Sequence, residues 1–224
     1  MKVAFIGPHA SGKTTLIEEF IKQWPMYKRP EKTYRDIVKE QGIALNKVGT
    51  KESQKAILNA LIDEAQLAST SDEKYLVFDR CVVDNIAYSL WHFAKDTEGF
   101  TKEFIIDSQA IAALTLKHYD LIFYVPERKE IPLTERENRE TSDEIYREEI
   151  DNIFKALVTS YEKNTGAFFP VQDCPAVITL EGPPDMRLPQ IKLYIKDSGN
   201  AYGEEDGSLI DASKVVLEGE EPPF

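Results

Sequence analysis

A glycine-rich segment near the N-terminus has the residue types and the spacing that bind polyphosphate. It reads Gly7-Pro8-His9-Ala10-Ser11-Gly12-Lys13-Thr14 and matches the pattern Gly-x-x-x-x-Gly-Lys-[Ser/Thr] at every defined position. Glycines let the backbone curl so that successive N–H groups point at phosphate oxygens. Lys13 would reach the β- and γ-phosphates, and the Thr14 hydroxyl is a ligand for Mg²⁺. We therefore predict that this loop, together with Thr15, binds ATP and magnesium.

The flanking sequence supplies the two elements that such a loop needs. An apolar run from Lys2 to Ile6 predicts a strand before the loop. Apolar residues at helical spacing predict a helix from about Gly12 to Trp24, which Pro25 ends. A helix that starts at the loop directs its positive N-terminal end at the phosphates. The motif therefore has the strand–loop–helix context typical of nucleotide binding.

An aspartate that follows a second apolar run is the next candidate for chemistry. The segment Tyr75-Leu76-Val77-Phe78 predicts a buried strand, and Asp79 comes directly after it. A carboxylate in this place can hold magnesium, directly or through water. It could instead take a proton from the phosphoryl acceptor or cap the following helix. We predict Asp79 as a metal ligand and catalytic residue, together with Lys13.

Short apolar runs alternate with helical stretches along the chain, which predicts a parallel sheet covered by helices on both faces. We predict an α/β fold, a three-layer α/β/α P-loop NTPase fold with a mostly parallel five-stranded sheet. The expected strands are 2–6, a short one around 27–29, 75–78, 121–125 and 177–180. One domain is expected over residues 1–196, followed by an acidic C-terminal tail over 197–224.

Helical periodicity predicts the elements between these strands. Thr141 followed by Glu144 fits a capping box at the start of one helix. Another helix is expected to tolerate Pro189 in its early turns. Besides the helix after the loop, the predicted helices are 50–69, 84–93, 102–116, one from about 144 to a stop near Gly166, and 185–195.

Composition argues against several other functions. The 224-residue chain has a net charge of −12, which disfavours broad binding to nucleic acid. No apolar run approaches the roughly 20 residues of a membrane span, and the N-terminus does not resemble a signal peptide. Cys81 and Cys174 have no metal-ligand spacing and no disulfide framework, so we expect a cytoplasmic protein with reduced thiols.

The residues from Asp79 to Tyr88 carry a resemblance to a known family. The segment Asp79-Arg80-Cys81-Val82-Val83-Asp84-Asn85-Ile86-Ala87-Tyr88 resembles the Asp-Arg segment of nucleoside and nucleotide kinases, including, with Ser in place of Asp84, thymidylate kinases. The sequence is more similar to the AAA-like ATPase/kinase family that includes the nicotinamide-riboside kinase domain of bacterial NAD regulators. Further similar pieces are Glu31 with Arg35, 118–123, 146–150, Glu181-Gly182 and 185–188.

The resemblance covers residues 1 to about 196 and implies roles for individual positions. It assigns Arg80, Asp84 and Tyr88, together with Glu31 and Arg35, to the acceptor pocket. It also places the loop around Gly182 and the side chain of Arg187 near the adenine of ATP. The Asp-Gly-Arg lid segment of the family is replaced here by Glu135-Arg136-Glu137-Asn138-Arg139, and the acidic tail has no counterpart.

A charged region at about 127–147 is expected to act as a lid. By position, the resemblance assigns Arg136 and Arg139 to the phosphates. Arg128 and Arg147 lie in the same stretch. Arginines supply bidentate donors for the charge that develops on the γ-oxygens, and a closed lid would exclude water. A salt-bridged surface loop is the alternative for any one of these arginines.

The acceptor itself is left open by the sequence. A hydroxyl acceptor needs a base, for which Glu31, Asp36, Asp79 and Asp84 are rivals; a phosphate acceptor needs no base and would be gripped by Arg35 and Arg80. We expect an ATP- and Mg²⁺-dependent kinase for a small nucleoside- or nucleotide-type molecule, and the chain is compatible with a homodimer. The alternatives are a kinase acting on a modified nucleotide within DNA or RNA, and an ATPase or switch without such an acceptor.

Overall fold

Four short apolar runs form a parallel sheet at the centre of the molecule. The computed structural model describes residues 1–40, 42, 49–127, 144–163 and 174–203. Within these residues the strands run in the spatial order β2-β1-β3-β4, and every pair is parallel. The strands are β1 (Lys2–Ile6), β2 (Leu76–Asp79), β3 (Leu121–Tyr124) and β4 (Ala176–Thr179).

The prediction of five strands is wrong for the described part of the chain, which has four strands. The segment expected to be a strand around residues 27–29 makes a single parallel bridge, from Lys28 to Leu76, at the outer edge of β2. The Lys28 N–H donates to the Tyr75 carbonyl, and the Lys28 carbonyl accepts from Val77. Pro30 follows two residues later and has no N–H to offer, so the pairing does not extend.

Helices connect the strands and cover both faces of the sheet, as the prediction of three layers requires. Most predicted helices are confirmed within a few residues at each end. The helices are α1 (Lys13–Gln23), α2 (Tyr34–Glu40), α3 (Lys51–Thr70), α4 (Val82–Ala94), α5 (Lys102–Thr115, extended by a 3₁₀ turn at Leu116–His118), α6 (Glu144–Glu162) and α7 (Pro184–Ile191). Thr141, the predicted cap of α6, lies outside the described residues.

The alternation of side chains along β1 separates two apolar layers. Val3 and Phe5 point to one face, where they pack with residues of α1 and α7. Ala4 and Ile6 point to the other face, where they pack with residues of α2, α3, α4 and α6. All four side chains are at most 1% exposed. Because β1 is covered on both sides, the loop that follows it starts from a fixed point.

The short helix α2 was not predicted from the sequence. Its start is stabilised by Asp36, whose Oδ2 accepts from the Thr33 N–H at 2.9 Å and from the Thr33 hydroxyl at 2.7 Å. This is a capping arrangement in which aspartate takes the place of glutamate. The Thr33-x-x-Asp36 spacing was therefore a usable signal.

The end of the described chain packs against the edge of the domain. The Tyr27 hydroxyl donates to the Gly199 carbonyl at 2.6 Å, and the Tyr75 hydroxyl donates to Oδ1 of Asn200 at 2.7 Å. Ile195 and Ala201 form an antiparallel bridge. Residues just beyond position 196 thus contact the body of the domain. In the described part of the chain, no helix combines the length and the apolar character needed to cross a membrane.

Candidate active site

The loop after β1 approaches the neighbouring strand too closely for any residue but glycine at its first position. Gly7 has φ 139°, and a Cβ built on it would overlap the carbonyl oxygen of Val125, just beyond β3. Gly12, with φ 85°, is the cap of α1. Both glycines adopt positive φ, which other residues rarely do. The backbone of residues 7–14 therefore curls as the glycine spacing predicts.

Lys13 lies inside this curl and is 5% exposed. Its Nζ donates to the carbonyl of Gly7 at 2.8 Å, to the carbonyl of Pro8 and to the Ser11 hydroxyl at 3.1 Å. Burial, aided by Arg80, lowers the pKa of Lys13 to about 7, against the opposing effect of the nearby carboxylates. The amino group of Lys13 is thus placed at the centre of the loop, where the phosphates of a nucleotide would meet it.

The first turn of α1 contacts the end of β2 through a hydroxyl–carboxylate pair. The Thr14 hydroxyl lies 3.2 Å from Oδ2 of Asp79, and the guanidinium of Arg35 donates to the same oxygen at 3.0 Å. Burial works against ionisation of Asp79, but Arg35, Arg80 and Lys13 together hold its pKa below the usual value. Asp79 is therefore a carboxylate at neutral pH.

The second oxygen of Asp79 fits a metal ion. Oδ1 is buried and has no hydrogen-bond partner among the described residues. A buried carboxylate oxygen without a donor is costly, and a cation would satisfy it. The Thr14 hydroxyl beside it is a second oxygen ligand of the kind that Mg²⁺ prefers. In the described chain no group of three or more His, Cys, Asp or Glu could hold a metal, so phosphates and waters would complete the coordination.

Arg80 and Asp84 form a buried ion pair beside the loop. Arg80 has φ 91°, and its guanidinium lies 2.8 Å from Oδ1 of Asp84, which is 2% exposed. Asp84 also accepts from the backbone N–H of Cys81 at 3.1 Å and from that of Gly7 at 3.4 Å. Burial raises the pKa of Asp84, and Arg80 and Lys13 oppose this effect. The pair places one cation and one anion next to the start of residues 7–14, which we call the phosphate loop.

A single cavity of about 540 Å³ joins the phosphate loop to the residues of α2, α3 and α4. Its apolar wall consists of Tyr34, Ile57, Leu61 and Tyr88. Its charged and amide side chains away from the loop are Glu18, Arg35, Gln54, Arg80, Asp84 and Asn85. Nδ2 of Asn85 donates to Oε1 of Gln54 at 2.8 Å, and Oδ1 of Asn85 is buried with no hydrogen-bond partner among the described residues. The cavity therefore offers two side-chain amides facing an apolar wall.

Most predicted site residues meet in this cavity. It is lined by His9–Thr15 of the loop and by Arg35, Arg80, Asp84 and Tyr88, and Asp79 contacts Thr14 at its edge. Glu31, assigned by resemblance to the acceptor pocket, instead lines a separate cavity of about 940 Å³ between α2 and α3. Arg136 and Arg139 lie outside the described residues, so their predicted role in a lid stays a prediction.

Arg187 lies against the phosphate loop from the α7 side. It is 1% exposed, and its guanidinium donates to the Ser11 carbonyl at 2.6 Å and to the Pro126 carbonyl at 3.1 Å. These bonds support the loop backbone. A direct contact with adenine stays a prediction. Gly182 lines a further cavity of about 410 Å³ beside Pro126, so the predicted adenine position near Gly182 has space available.

The cavity residues that the sequence analysis did not identify as site residues include Glu18, Gln54, Ile57, Leu61 and Asn85. Three of them lie on α3, which the sequence predicts only as an amphipathic helix. The spacing of Ile57 and Leu61 is the same as in a core-facing helix, and nothing in the sequence distinguishes Gln54 from the other polar residues of α3. Asn85 follows Asp84 directly in the segment that carries the family resemblance, and this position was the available signal.

Comparison with protein families gives one match to this sequence. The profile of the AAA domain family matches residues 2–165, which include the phosphate loop, Asp79 and the whole of α6. No curated protein matches the sequence significantly.

Comparison with solved structures identifies proteins of the same fold. Deoxyadenosine kinase from M. mycoides, with products dCMP and a flexible dCDP bound, has a TM-score of 0.60 at 17% sequence identity, covering 85% of this chain and 96% of that chain. The NadR protein in complex with NR has a TM-score of 0.53 at 16% identity, covering 83% of this chain and 45% of NadR. At these identities the similarity establishes the fold, and this chain corresponds to less than half of NadR.

Proposed function

The chain belongs to the AAA domain family, and we propose that it is an ATP- and Mg²⁺-dependent kinase that phosphorylates a nucleoside- or nucleotide-type acceptor. The observation that carries the proposal is the cavity of about 540 Å³ in which the phosphate loop and a second, mixed polar and apolar wall face each other. A phosphoryl donor and an acceptor bound in one cavity can be held in line for transfer. The solved kinases that share this fold support the assignment. The side chains and backbone of this chain supply the groups that would bind the donor and the acceptor.

The donor side of the reaction is supplied by the loop and α1. The backbone of residues 7–14 would wrap the β- and γ-phosphates, and Lys13 would exchange its carbonyl partners for phosphate oxygens. Thr14 and Asp79 would hold Mg²⁺, which when bound offsets the negative charge on the transferred group. Arg35, bonded to Asp79 and 54% exposed, keeps that carboxylate oriented.

The acceptor side is supplied by α2, α3 and α4. The amides of Gln54 and Asn85 can pair with the donor and acceptor edge of a nucleobase-like ring, and the apolar wall can contact its faces. A small aromatic ring that carries an amide could form the same hydrogen bonds with these two side chains and the same contacts with the apolar wall. This combination of paired amides and aromatic side chains favours a base-bearing acceptor over a simple sugar or an amino acid.

Asp84 is our candidate base for a hydroxyl acceptor. It lies in the cavity beside Lys13 and Arg80, whereas Asp79 is committed to the metal and Glu31 lines another cavity. The acceptor hydroxyl would lose its proton to Asp84 and its oxygen would bond to the γ-phosphorus, while the bond from that phosphorus to the β-γ bridging oxygen breaks and ADP leaves. Arg80, held by Asp84 at 2.8 Å, would orient the acceptor.

The proposal is tested by a transfer assay with ATP labelled at the γ-phosphate. The acceptors are nucleosides, nucleoside monophosphates, NR and short oligonucleotides, each compared with a reaction that lacks an acceptor. We expect a labelled product with at least one small acceptor, and loss of that product in Lys13→Ala. Lys22→Ala, which removes an exposed lysine from the same helix, is the matched control and should leave the product unchanged.

Three results would contradict parts of this proposal. Label that appears only as inorganic phosphate, at a rate independent of every acceptor, would indicate an ATPase or switch. A product formed only with oligonucleotides, and lost as salt is raised, would indicate a kinase for nucleotides within a polymer. Equal product from wild type and Lys13→Ala would exclude the loop as the donor site.

A further inference from the structure

Helix α4 contacts the start of the phosphate loop at two points. Oδ1 of Asp84 lies 3.4 Å from the Gly7 nitrogen, and the Tyr88 hydroxyl lies 3.1 Å from the His9 nitrogen. The first contact is long for a hydrogen bond, and the second is within the ordinary range. Both α4 residues also line the cavity that we assign to the acceptor. The acceptor wall and the donor loop are therefore in direct contact.

The Tyr88 hydroxyl binds His9 twice. It accepts the backbone N–H of His9, and it lies 3.1 Å from Nδ1 of the same residue. A tyrosine hydroxyl can accept one hydrogen bond while it donates another, so the arrangement fits a neutral imidazole whose Nδ1 accepts the hydroxyl proton. His9 and Tyr88 are 8% and 6% exposed. The His9 ring also packs against Tyr146, with 5.1 Å between ring centroids.

The loop needs support at this position because its backbone is unfavourable there. Ala10, the residue after His9, has φ 59°, a left-handed conformation that alanine adopts only at a cost of about 1 kcal/mol or more. The methyl side chain of Ala10 cannot form a hydrogen bond that would offset this cost. The two bonds from Tyr88 to His9 lie one residue away and fix the chain that leads into the strained position.

We propose that Tyr88 is a positioning residue that holds the first half of the phosphate loop in the shape that receives the terminal phosphate of ATP. The inference rests on the proposed function, because it assumes that the loop binds ATP. The phosphoryl group that is transferred must face the acceptor, and the part of the loop nearest the acceptor wall is the part that Tyr88 contacts. Tyr88 thus acts on the donor through His9, in addition to lining the acceptor cavity.

This role predicts a selective effect on nucleotides that carry a third phosphate. In Tyr88→Phe the ring is retained and both bonds to His9 are lost. Each such bond contributes modestly, so together their loss should weaken binding of Mg²⁺·AMP-PNP about tenfold. Binding of Mg²⁺·ADP should change by less than about twofold, because its phosphates lie deeper, toward Lys13 and the start of α1. A tyrosine that only lines the acceptor cavity would change neither affinity.

The experiment is isothermal titration of Mg²⁺·AMP-PNP and Mg²⁺·ADP into wild type, Tyr88→Phe and a matched control, with no acceptor present. The control is Tyr119→Phe, which removes another buried tyrosine hydroxyl, one without a hydrogen-bond partner among the described residues. We expect Tyr119→Phe to bind both nucleotides like wild type. His9→Ala keeps the backbone bond and should weaken AMP-PNP by an intermediate factor, less than Tyr88→Phe does.

The double variant His9→Ala/Tyr88→Phe should lose less than the product of the two single losses, because both act through one hydroxyl. Equal AMP-PNP affinity in wild type and Tyr88→Phe would overturn the inference while leaving the proposed function intact. Equal weakening by Tyr88→Phe and Tyr119→Phe, or equal weakening of AMP-PNP and ADP, would also overturn it. If Tyr88→Phe does not fold, His9→Ala provides the test: it should weaken binding of AMP-PNP more than binding of ADP, and equal weakening of both would overturn the inference. Failure of wild type to bind AMP-PNP would overturn the nucleotide site itself, and this inference with it.

Discussion

The Thr14 hydroxyl lies 3.2 Å from Oδ2 of Asp79, and this contact joins the phosphate loop to the end of the neighbouring strand. The contact follows from the register of the sheet, in which Phe5 of β1 is paired with Asp79 of β2. Since the strands are parallel, the residues that follow both of them emerge at the same edge. Backbone pairing thus brings together a hydroxyl and a carboxylate that could both bind the proposed magnesium ion.

Asp79→Asn should lower Mg²⁺-dependent phosphoryl transfer by about 100-fold or more, because the variant keeps the size of the side chain but loses the charge that holds the metal. The measurement is turnover as a function of Mg²⁺ concentration. Asp63→Asn, an exposed aspartate on α3, is the control and should behave like wild type. A fully active Asp79→Asn variant with an unchanged Mg²⁺ requirement would remove Asp79 from the mechanism.

Binding of ATP should take up a proton at pH 8. Burial lowers the pKa of Lys13 to about 7 in the free protein, so its amine is mostly neutral at pH 8. Phosphates next to Nζ raise that pKa and favour the ammonium form. Titrations in buffers of different ionisation enthalpy should show uptake approaching one proton at pH 8 and little at pH 6. The same proton count at both pH values would contradict this assignment.

Gly7→Ala should abolish nucleotide binding and reduce stability, because the new Cβ would overlap the Val125 carbonyl and φ is 139°. Loop and strand would have to move apart, at a cost of several kcal/mol. Gly42→Ala is the matched control: its φ is also positive, at 62°, but nothing lies within 4 Å of the added carbon. Urea denaturation and AMP-PNP titration of both variants provide the test. Equal behaviour of the two would show that the close approach at Gly7 has no effect.

We predict that Glu64 makes the stability of the protein depend on pH. It lies on α3, is 3% exposed, and burial raises its pKa from 4.5 to about 8, with Asp79 and Asp36 adding to the shift. A carboxyl group whose pKa is raised in the folded state contributes stability below pH 4.5 that is lost as the pH rises through 8. Between pH 5 and 8 wild type should therefore lose up to about 4 kcal/mol relative to Glu64→Gln.

The measurement is the free energy of unfolding of wild type and of Glu64→Gln across this pH range. Both proteins must be measured, because other groups titrate in each of them. The difference between them isolates Glu64. A difference that stays constant from pH 5 to pH 8 would show that Glu64 is ionised throughout in the folded protein, as an unburied glutamate would be.

The parts of the site that could be predicted from sequence are those in which neighbouring residues act together. The phosphate loop is a run of eight residues whose glycines are required by local geometry, so the sequence alone predicts Lys13 and Thr14 as site residues. Asp79 is predicted because it ends an apolar run, and the parallel register places it beside the loop. The same local signals predicted most helices and four of the five expected strands.

The parts that could not be predicted depend on contacts between distant residues. Gln54 meets Asn85 only because α3 packs beside α4, and neither helix carries a pattern that specifies its neighbour. Arg187 was placed near the nucleotide by resemblance, but its bonds to the Ser11 and Pro126 carbonyls join segments far apart in the chain. Glu31 lies close to Arg35 in sequence, yet it lines a different cavity.

A crystal structure of the protein with Mg²⁺ and AMP-PNP tests the central claim most directly. We predict that residues 7–14 wrap the polyphosphate, that Lys13 leaves the carbonyls of Gly7 and Pro8 for phosphate oxygens, and that the ion lies between Thr14 and Asp79. An analogue held elsewhere on the protein, with Lys13 still bonded to those carbonyls, would contradict it.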